Sequence, residues 1–263
     1  MHRRHLRWLI PSATAAVATA VAIVLVTQVG GSAACAASGS ASYYSTGGNG
    51  MCNLGAPATD AYAAVGRAEY AGGKACGTWL DVTGPAGTTR VQVVDLCPSC
   101  PAGKIDLSKA SFTRIGSLSA GIIPVTYSTS ANPQPAAPLK VKLKGGTGHS
   151  SLTAVVDNHY NPLSTVELQT AAGFAPMQHG QDNLWTAPAG PVTPPVTLRI
   201  TDVYGHQALV GGLTLGPAGF QQSTVVLYGP PSPSPEASST ADASPTAAPA
   251  QTVVQAQPTH TVC

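Results

Sequence analysis

Apolar and polar residues alternate most cleanly over Leu139-Lys140-Val141-Lys142-Leu143-Lys144, where every second side chain is apolar. A period of two puts one face of a strand on a core and the other in water. Similar short runs follow at Thr153–Val156, Ser164–Leu168, Val196–Ile200 and Thr224–Tyr228, a spacing that predicts an immunoglobulin-like β-sandwich over residues 139–228. Upstream, Trp79–Thr83 and Thr88–Asp95 read as a hairpin turning through Gly84-Pro85-Ala86-Gly87, with Ile122–Tyr127 as a closing strand. Only Ser108–Ile115 reads as a helix, and Ser108 is its N-cap. The pattern predicts an all-β protein: a small barrel over 39–128, a Pro-rich linker over 129–138, then the sandwich.

The two ends depart from this pattern. His2-Arg3-Arg4-His5-Leu6-Arg7 precedes an apolar run from Ala15 to Val26 and small residues from Gly30 to Ala37, which marks residues 1–36 as an export signal. Arg3-Arg4 also suits a twin-arginine signal, although the rest of that consensus is poor, and Ser32-Ala33-Ala34-Cys35 resembles a lipobox that would place a lipid on Cys35 at the cell surface. General secretion with small-residue cleavage is the expectation, leaving no membrane span in the mature chain. From Gly229 onward the chain is Pro, Ser, Ala and Thr with almost no charge, a composition that cannot bury enough apolar surface to order itself, so 229–263 is expected to be a disordered tail.

Charge then excludes partners. Without Arg3, Arg4 and Arg7 the 13 basic residues fall to 10, one fewer than the 11 acidic ones, and neither half carries a basic stripe. Nucleic acid is therefore not an expected partner. The weak net field also argues against tight electrostatic capture of acidic polymers, whereas a neutral polysaccharide is held by stacking and hydrogen bonds.

Six cysteines stand at 35, 52, 76, 97, 100 and 263. Behind an export signal they are expected to form disulfides rather than to ligate metal. Cys97-Pro98-Ser99-Cys100 alone suits zinc or dithiol chemistry, but no second CxxC or paired histidines accompany it. Cys52, Cys76, Cys97 and Cys100 share one half of the chain and would staple the barrel with two bridges; three connectivities are open to four cysteines.

The segment richest in chemistry is Val94-Asp95-Leu96-Cys97-Pro98-Ser99-Cys100-Pro101-Ala102-Gly103-Lys104-Ile105-Asp106-Leu107-Ser108. It sets two carboxylates at the ends of a braced loop, one after a strand and one before a helix. Paired carboxylates across a cleft serve glycosidic chemistry. The alternative is that each ties down backbone amides of its own loop.

With Gly39-Ser40-Ala41-Ser42-Tyr43-Tyr44 and Gly73-Lys74-Ala75-Cys76-Gly77, this segment resembles the six-stranded double-psi β-barrel of expansins, of the rare lipoprotein A group and of family 45 glycoside hydrolases. A sandwich directly after the barrel resembles bacterial expansins in particular, as do Val156-Asp157-Asn158-His159 to Pro162 and Thr201-Asp202-Val203-Tyr204-Gly205. The resemblance implies Asp106 as the essential carboxylate of the cleft and Asp95 as its supporting partner. Ser42 stands where a threonine is usual, and Tyr43 or Tyr44 would offer a stacking face for a sugar, unless each packs in the core. It also implies Cys52–Cys76 and Cys97–Cys100 bridges, no cofactor and no metal. The implied protein is a secreted monomer that binds wall polysaccharide (glucan, matrix glycan or peptidoglycan) and loosens it without net hydrolysis.

The chain departs from this resemblance in places. Cys97 replaces a cleft aromatic common in simpler bacterial members. Ser150, Ser151 and Asp182 stand where cellulose-binding members carry a flat aromatic row, and Trp185 and Phe174 nearby suit core packing better than binding. A lytic transglycosylase of the rare lipoprotein A type is the enzymatic alternative, although Gly66-Arg67-Ala68-Glu69-Tyr70 stands where those enzymes have a histidine. A protease-inhibitor module is a third reading, against which the second domain counts.

Overall fold

A computed structural model describes residues 36–46, 48–145 and 152–229. The expected export signal, apart from Ala36, lies outside the described residues, as do Cys35, Ser150, Ser151, Cys263 and the tail beyond Gly229.

The first half closes into a six-stranded barrel. Its strands are β1 (Ala37–Tyr44), β2 (Tyr62–Val65), β3 (Trp79–Gly84), β4 (Gly87–Leu96), β5 (Lys104–Ser108) and β6 (Ile123–Thr129), in the order β1-β5-β2-β4-β3-β6. Two pairings are parallel, β1 with β5 and β2 with β4, and the others are antiparallel. The hairpin is as expected, tightened to a Pro85-Ala86 loop with Gly84 opposite Gly87. The helix is α2 (Lys109–Ile115), and the Ser108 hydroxyl accepts from the Ser111 amide at its N-terminus. A second helical turn, α1 (Arg67–Tyr70), was not expected; four residues are too few for a helical period to show. Ile105, Leu107, Phe112 and Ile115 are fully buried and fill the barrel together with Val82, Val91 and Val93.

The second half is a two-sheet sandwich. Its strands are β7 (Lys140–Lys144), β8 (Thr153–Asp157), β9 (Leu163–Thr170), β10 (Gly173–Pro176), β11 (Gln178–His179), β12 (Trp185–Thr186), β13 (Val196–Asp202), β14 (Gln207–Leu213) and β15 (Gln221–Gln222). One sheet runs β10-β9-β13-β14 and the other β11-β12-β8-β7-β15. The expected strand at Thr224–Tyr228 does not form. Val225 gives only its carbonyl to the Leu139 amide, Leu227 and Tyr228 turn into the core, and the last pairing is made by β15 instead. Those two consecutive side chains are both buried, which is not the alternation of a strand.

The linker is docked rather than free. Ser130 donates its amide to the Trp79 carbonyl, Asn132 donates its own to Asn161 Oδ1, and the Tyr228 hydroxyl donates to the Pro133 carbonyl. Loops complete the junction between barrel and sandwich. Asn183 Nδ2 donates to the Cys52 carbonyl, Asn53 Nδ2 to the Asp182 carbonyl, and Gln92 Nε2 to Asp157 Oδ1. His159 is fully buried there, and Gly77, at φ +77°, leaves it room: a Cβ on that glycine would stand 2.4 Å from His159 Nε2. No helix among the described residues is long and apolar enough to cross a membrane.

Candidate functional site

Both disulfides form with the implied pairing, Cys52–Cys76 and Cys97–Cys100. The second closes the loop between β4 and β5, and its sulfurs, spent on each other, offer no thiolate to a metal. That loop is pressed onto the start of β1. A Cβ on Gly39 would stand 1.8 Å from the Gly103 carbonyl, which accepts the Ser40 amide. From below, Glu69 Oε1 accepts the Gly103 amide at 2.6 Å.

Register then assembles the site. Ser42 lies opposite Asp106, Asp106 opposite Ala64, and Ala64 opposite Asp95, so four residues form a row across β1, β5, β2 and β4. Residues directly opposite one another point to the same face of a sheet. Their chain neighbours Ala41, Ile105 and Ala63 are core residues, so the row faces outward. It is the strand alternation of the Asp106 segment that turns the carboxylate out of the barrel. Asp106 and Asp95 stand two strand spacings apart, about 10 Å between backbones.

The two carboxylates differ in what holds them. Asp106 Oδ1 accepts from the Ser42 hydroxyl and lies 3.9 Å from Lys104 Nζ, and its side chain keeps 19% of its exposure. Oδ2 touches the Cys100 sulfur at 3.6 Å. Asp95 Oδ1 accepts two backbone amides, from Met51 at 2.6 Å and Leu96 at 2.8 Å. Asp95 thus ties the 50–53 loop to β4, and no contact joins it to Asp106. The supporting partner expected in Asp95 is found instead in Ser42 and Lys104. Lys104 was legible in principle, since two residues before Asp106 on a strand is the same face.

The two tyrosines part company. Tyr43 turns to the other face and packs edge-on against Phe112 at 5.0 Å. Tyr44 stays on the outward face, edge-on to Tyr62 at 5.6 Å, against the patch of Ala64, Cys97 and Cys100. Among the described residues its hydroxyl is buried with no hydrogen-bond partner. Burial, reinforced by the charges of Asp95 and Asp106, raises its pKa well above the ordinary tyrosine value. Tyr62 belongs to β2, whose short apolar run Ala61–Val65 was passed over although it meets the length of a buried strand. In the sandwich, Trp185 is buried and stacks on His179 at 4.2 Å, and Phe174 lies beneath the Arg199 guanidinium, so neither offers an open face.

A double-psi barrel with an outward Asp106 row, followed by a two-sheet sandwich, is an expansin architecture. A family model described as lytic transglycolase matches residues 36–127. The chain is similar to the crystal structure of the apo Clavibacter michiganensis expansin, with 35% sequence identity and a TM-score of 0.69 over 74% of this chain and 98% of that one. A mutant of the same expansin in complex with cellohexaose matches with the same figures. Expansin-YoaJ of Bacillus subtilis (strain 168) is 29% identical over 139 residues, 52% of this chain and 59% of that protein. Expansin-like protein 2 of Dictyostelium discoideum is 28% identical over 153 residues, 55% of this chain and 37% of that one. The chain therefore spans less than two thirds of these two curated relatives. It belongs to the expansin family.

Proposed function

We propose that this is an exported protein that binds wall polysaccharide along the Ser42–Asp106–Ala64–Asp95 row and loosens it without net hydrolysis. The observation that carries the reading is a partly exposed Asp106 held by Ser42 and Lys104 on an outward face. A carboxylate so placed accepts hydrogen bonds from sugar hydroxyls, while Tyr44 and Tyr62 supply apolar surface beside it. The cellohexaose complex of the Clavibacter michiganensis relative supports a β-glucan as one ligand. Two disulfides in the barrel fit an oxidising, extracellular compartment.

Loosening rather than cutting rests on the state of Asp95. One of its oxygens serves two amides, which suits it to hold a loop rather than to activate water. Binding energy along the row then goes into separating one strand of polymer from its neighbours. The test pairs isotherms on cellulose, xylan and peptidoglycan with a reducing-sugar assay and a wall-extension measurement. Binding to at least one polymer, no sugar release and loss of wall weakening in Asp106→Ala are expected. A second reading, glycan cleavage, is favoured by the place of Asp95 on the same face and by the lytic transglycolase match. Release of soluble or anhydro-sugar products that stops in Asp106→Ala would establish it in place of the first.

A further inference from the structure

The Cys97–Cys100 bridge stands beside Asp106, and the groove reading makes no use of it. Cys100 Sγ lies 3.6 Å from Asp106 Oδ2, and both sulfurs and a carboxylate oxygen of Asp106 fall within 4.8 Å of one another. The other oxygen, Oδ1, accepts the Ser42 hydroxyl and faces Lys104 Nζ, so the carboxylate is fixed with Oδ2 turned to the sulfurs. Among the described residues no N–H or O–H donates to Oδ2.

These are the spacings of a metal site whose sulfurs are bonded to each other. Tetrahedral zinc, with Zn–S near 2.3 Å and Zn–O near 2.0–2.2 Å, sets a thiolate and a carboxylate oxygen about 3.5–3.7 Å apart. The Cys100–Asp106 span already has that value. Two thiolates on one zinc stand about 3.8 Å apart. Cys97 and Cys100, with Cα atoms 5.4 Å apart, reach that separation by side-chain rotation once the bond between them is broken. The Cys-x-x-Cys spacing suits a zinc loop, and the ligand that no second cysteine pair supplies comes from Asp106. Ser42 orients that ligand from behind, as outer groups do around bound metals.

Of the two bridges, this is the one a reductant meets. Cys97 and Cys100 keep 8% and 7% of their exposure, and Pro98 and Ser99 between them are exposed, whereas Cys52 and Cys76 keep 0% and 2%. Its loss also costs the fold less, because a bridge across 3 positions restrains the unfolded chain less than one across 24. The loop stays anchored by Gly103, whose amide is on Glu69 and whose carbonyl takes the Ser40 amide.

We infer that Cys97, Cys100 and Asp106 form a zinc site in the reduced protein, and that zinc there withdraws Asp106 from the polysaccharide. A small dithiol supplies the two electrons: it closes to a cyclic disulfide as the Cys97–Cys100 bond breaks, and its two protons pass to the two sulfurs. Zinc then displaces both protons to solvent and bonds two thiolates and Oδ2, with a fourth position open to water. The metal site stands by itself, and its effect on wall weakening rests on the groove reading.

The test reduces the full chain with dithiothreitol, maps the freed thiols by alkylation, removes the reductant without air and titrates zinc, with cobalt as a spectroscopic probe. One zinc per chain at Cys97 and Cys100, with a sulfur-to-cobalt absorption band, is expected for the reduced protein. The oxidised chain and reduced Cys97→Ser/Cys100→Ser should show neither, and Asp106→Asn should bind zinc at least about tenfold more weakly. Reduced, metal-free protein should weaken walls, zinc should abolish this, and a chelator should restore it. Free Cys97 and Cys100 that take no zinc, a bridge that resists the dithiol until the chain unfolds, or equal zinc affinity in Asp106→Asn overturns the inference and leaves the groove reading standing. Weakening that persists with zinc bound but is lost in Asp106→Ala overturns the withdrawal of Asp106. Zinc bound as described, with weakening unchanged both by the metal and in Asp106→Ala, removes the groove reading and leaves the metal site.

Discussion

The barrel face and the barrel–sandwich junction each present an aspartate amid polar partners, and they use it in opposite ways. At the junction Asp202 is sealed. Its Oδ1 takes the amides of Tyr204 and His206, and its Oδ2 takes Asn161 Nδ2 at 2.6 Å and His206 Nδ1 at 2.8 Å. Asp106 on the barrel keeps capacity in reserve, with part of its surface open and only a hydroxyl and a distant ammonium on one oxygen. A carboxylate whose lone pairs are all spent on its own chain is a structural fastener, and one that has some left is available to a ligand. Asp95 falls between the two, with one oxygen fully used.

The largest expected effect attacks the sealed side. Asp202→Ala leaves two amides, Asn161 and His206 without their acceptor and should cost about 3–5 kcal/mol in denaturant unfolding. A loss below 1 kcal/mol would show that the junction is not a fastener. Next, Cys52→Ser with Cys76→Ser opens a loop whose ends lie 24 positions apart and should cost about 3 kcal/mol. Because the Cys52 carbonyl also accepts Asn183, amide exchange should rise on both sides of the junction rather than in the barrel alone.

A subtler test uses acid. Burial holds the pKa of His159 below the ordinary 6.5, with the charges of Asp157 and Asp202 opposing this, and burial likewise lowers that of His179. The folded protein therefore binds protons less readily than the unfolded chain. Stability should be full above about pH 6.5 and should fall as the pH drops below it, by at most about 1.4 kcal/mol per unit for each histidine. Replacing His159 by Gln should flatten that slope in a pH series of melting curves. The smallest effect belongs to the open side. Asp106→Asn should change stability by less than about 1 kcal/mol while abolishing wall weakening. A large destabilisation would place Asp106 with Asp202 among the fasteners.

Much of this contrast was legible in the residues. Period-two runs marked the sandwich, and the braced Asp95–Ser108 segment marked the site, because local spacing expresses local geometry. What the chain could not express locally was the pairing between distant strands. The Ser42–Asp106–Ala64–Asp95 row joins residues up to 64 positions apart and exists only once the barrel closes. Thr224–Tyr228 misled for the complementary reason, since apolar side chains can pack into a core without their backbone joining a ladder. Asp95 gave no sign that its partner would be the Met51 amide, 44 residues earlier.

The 50–53 loop has a mechanical consequence. Asp95, the Cys52–Cys76 bridge, Asn183 and Lys142 grip it at successive residues, so it has no slack of its own. A load applied at one half by a snagged fibre would pass straight into the other, as through a riveted bracket, and peeling force would reach the fibre instead of being absorbed by a swivel.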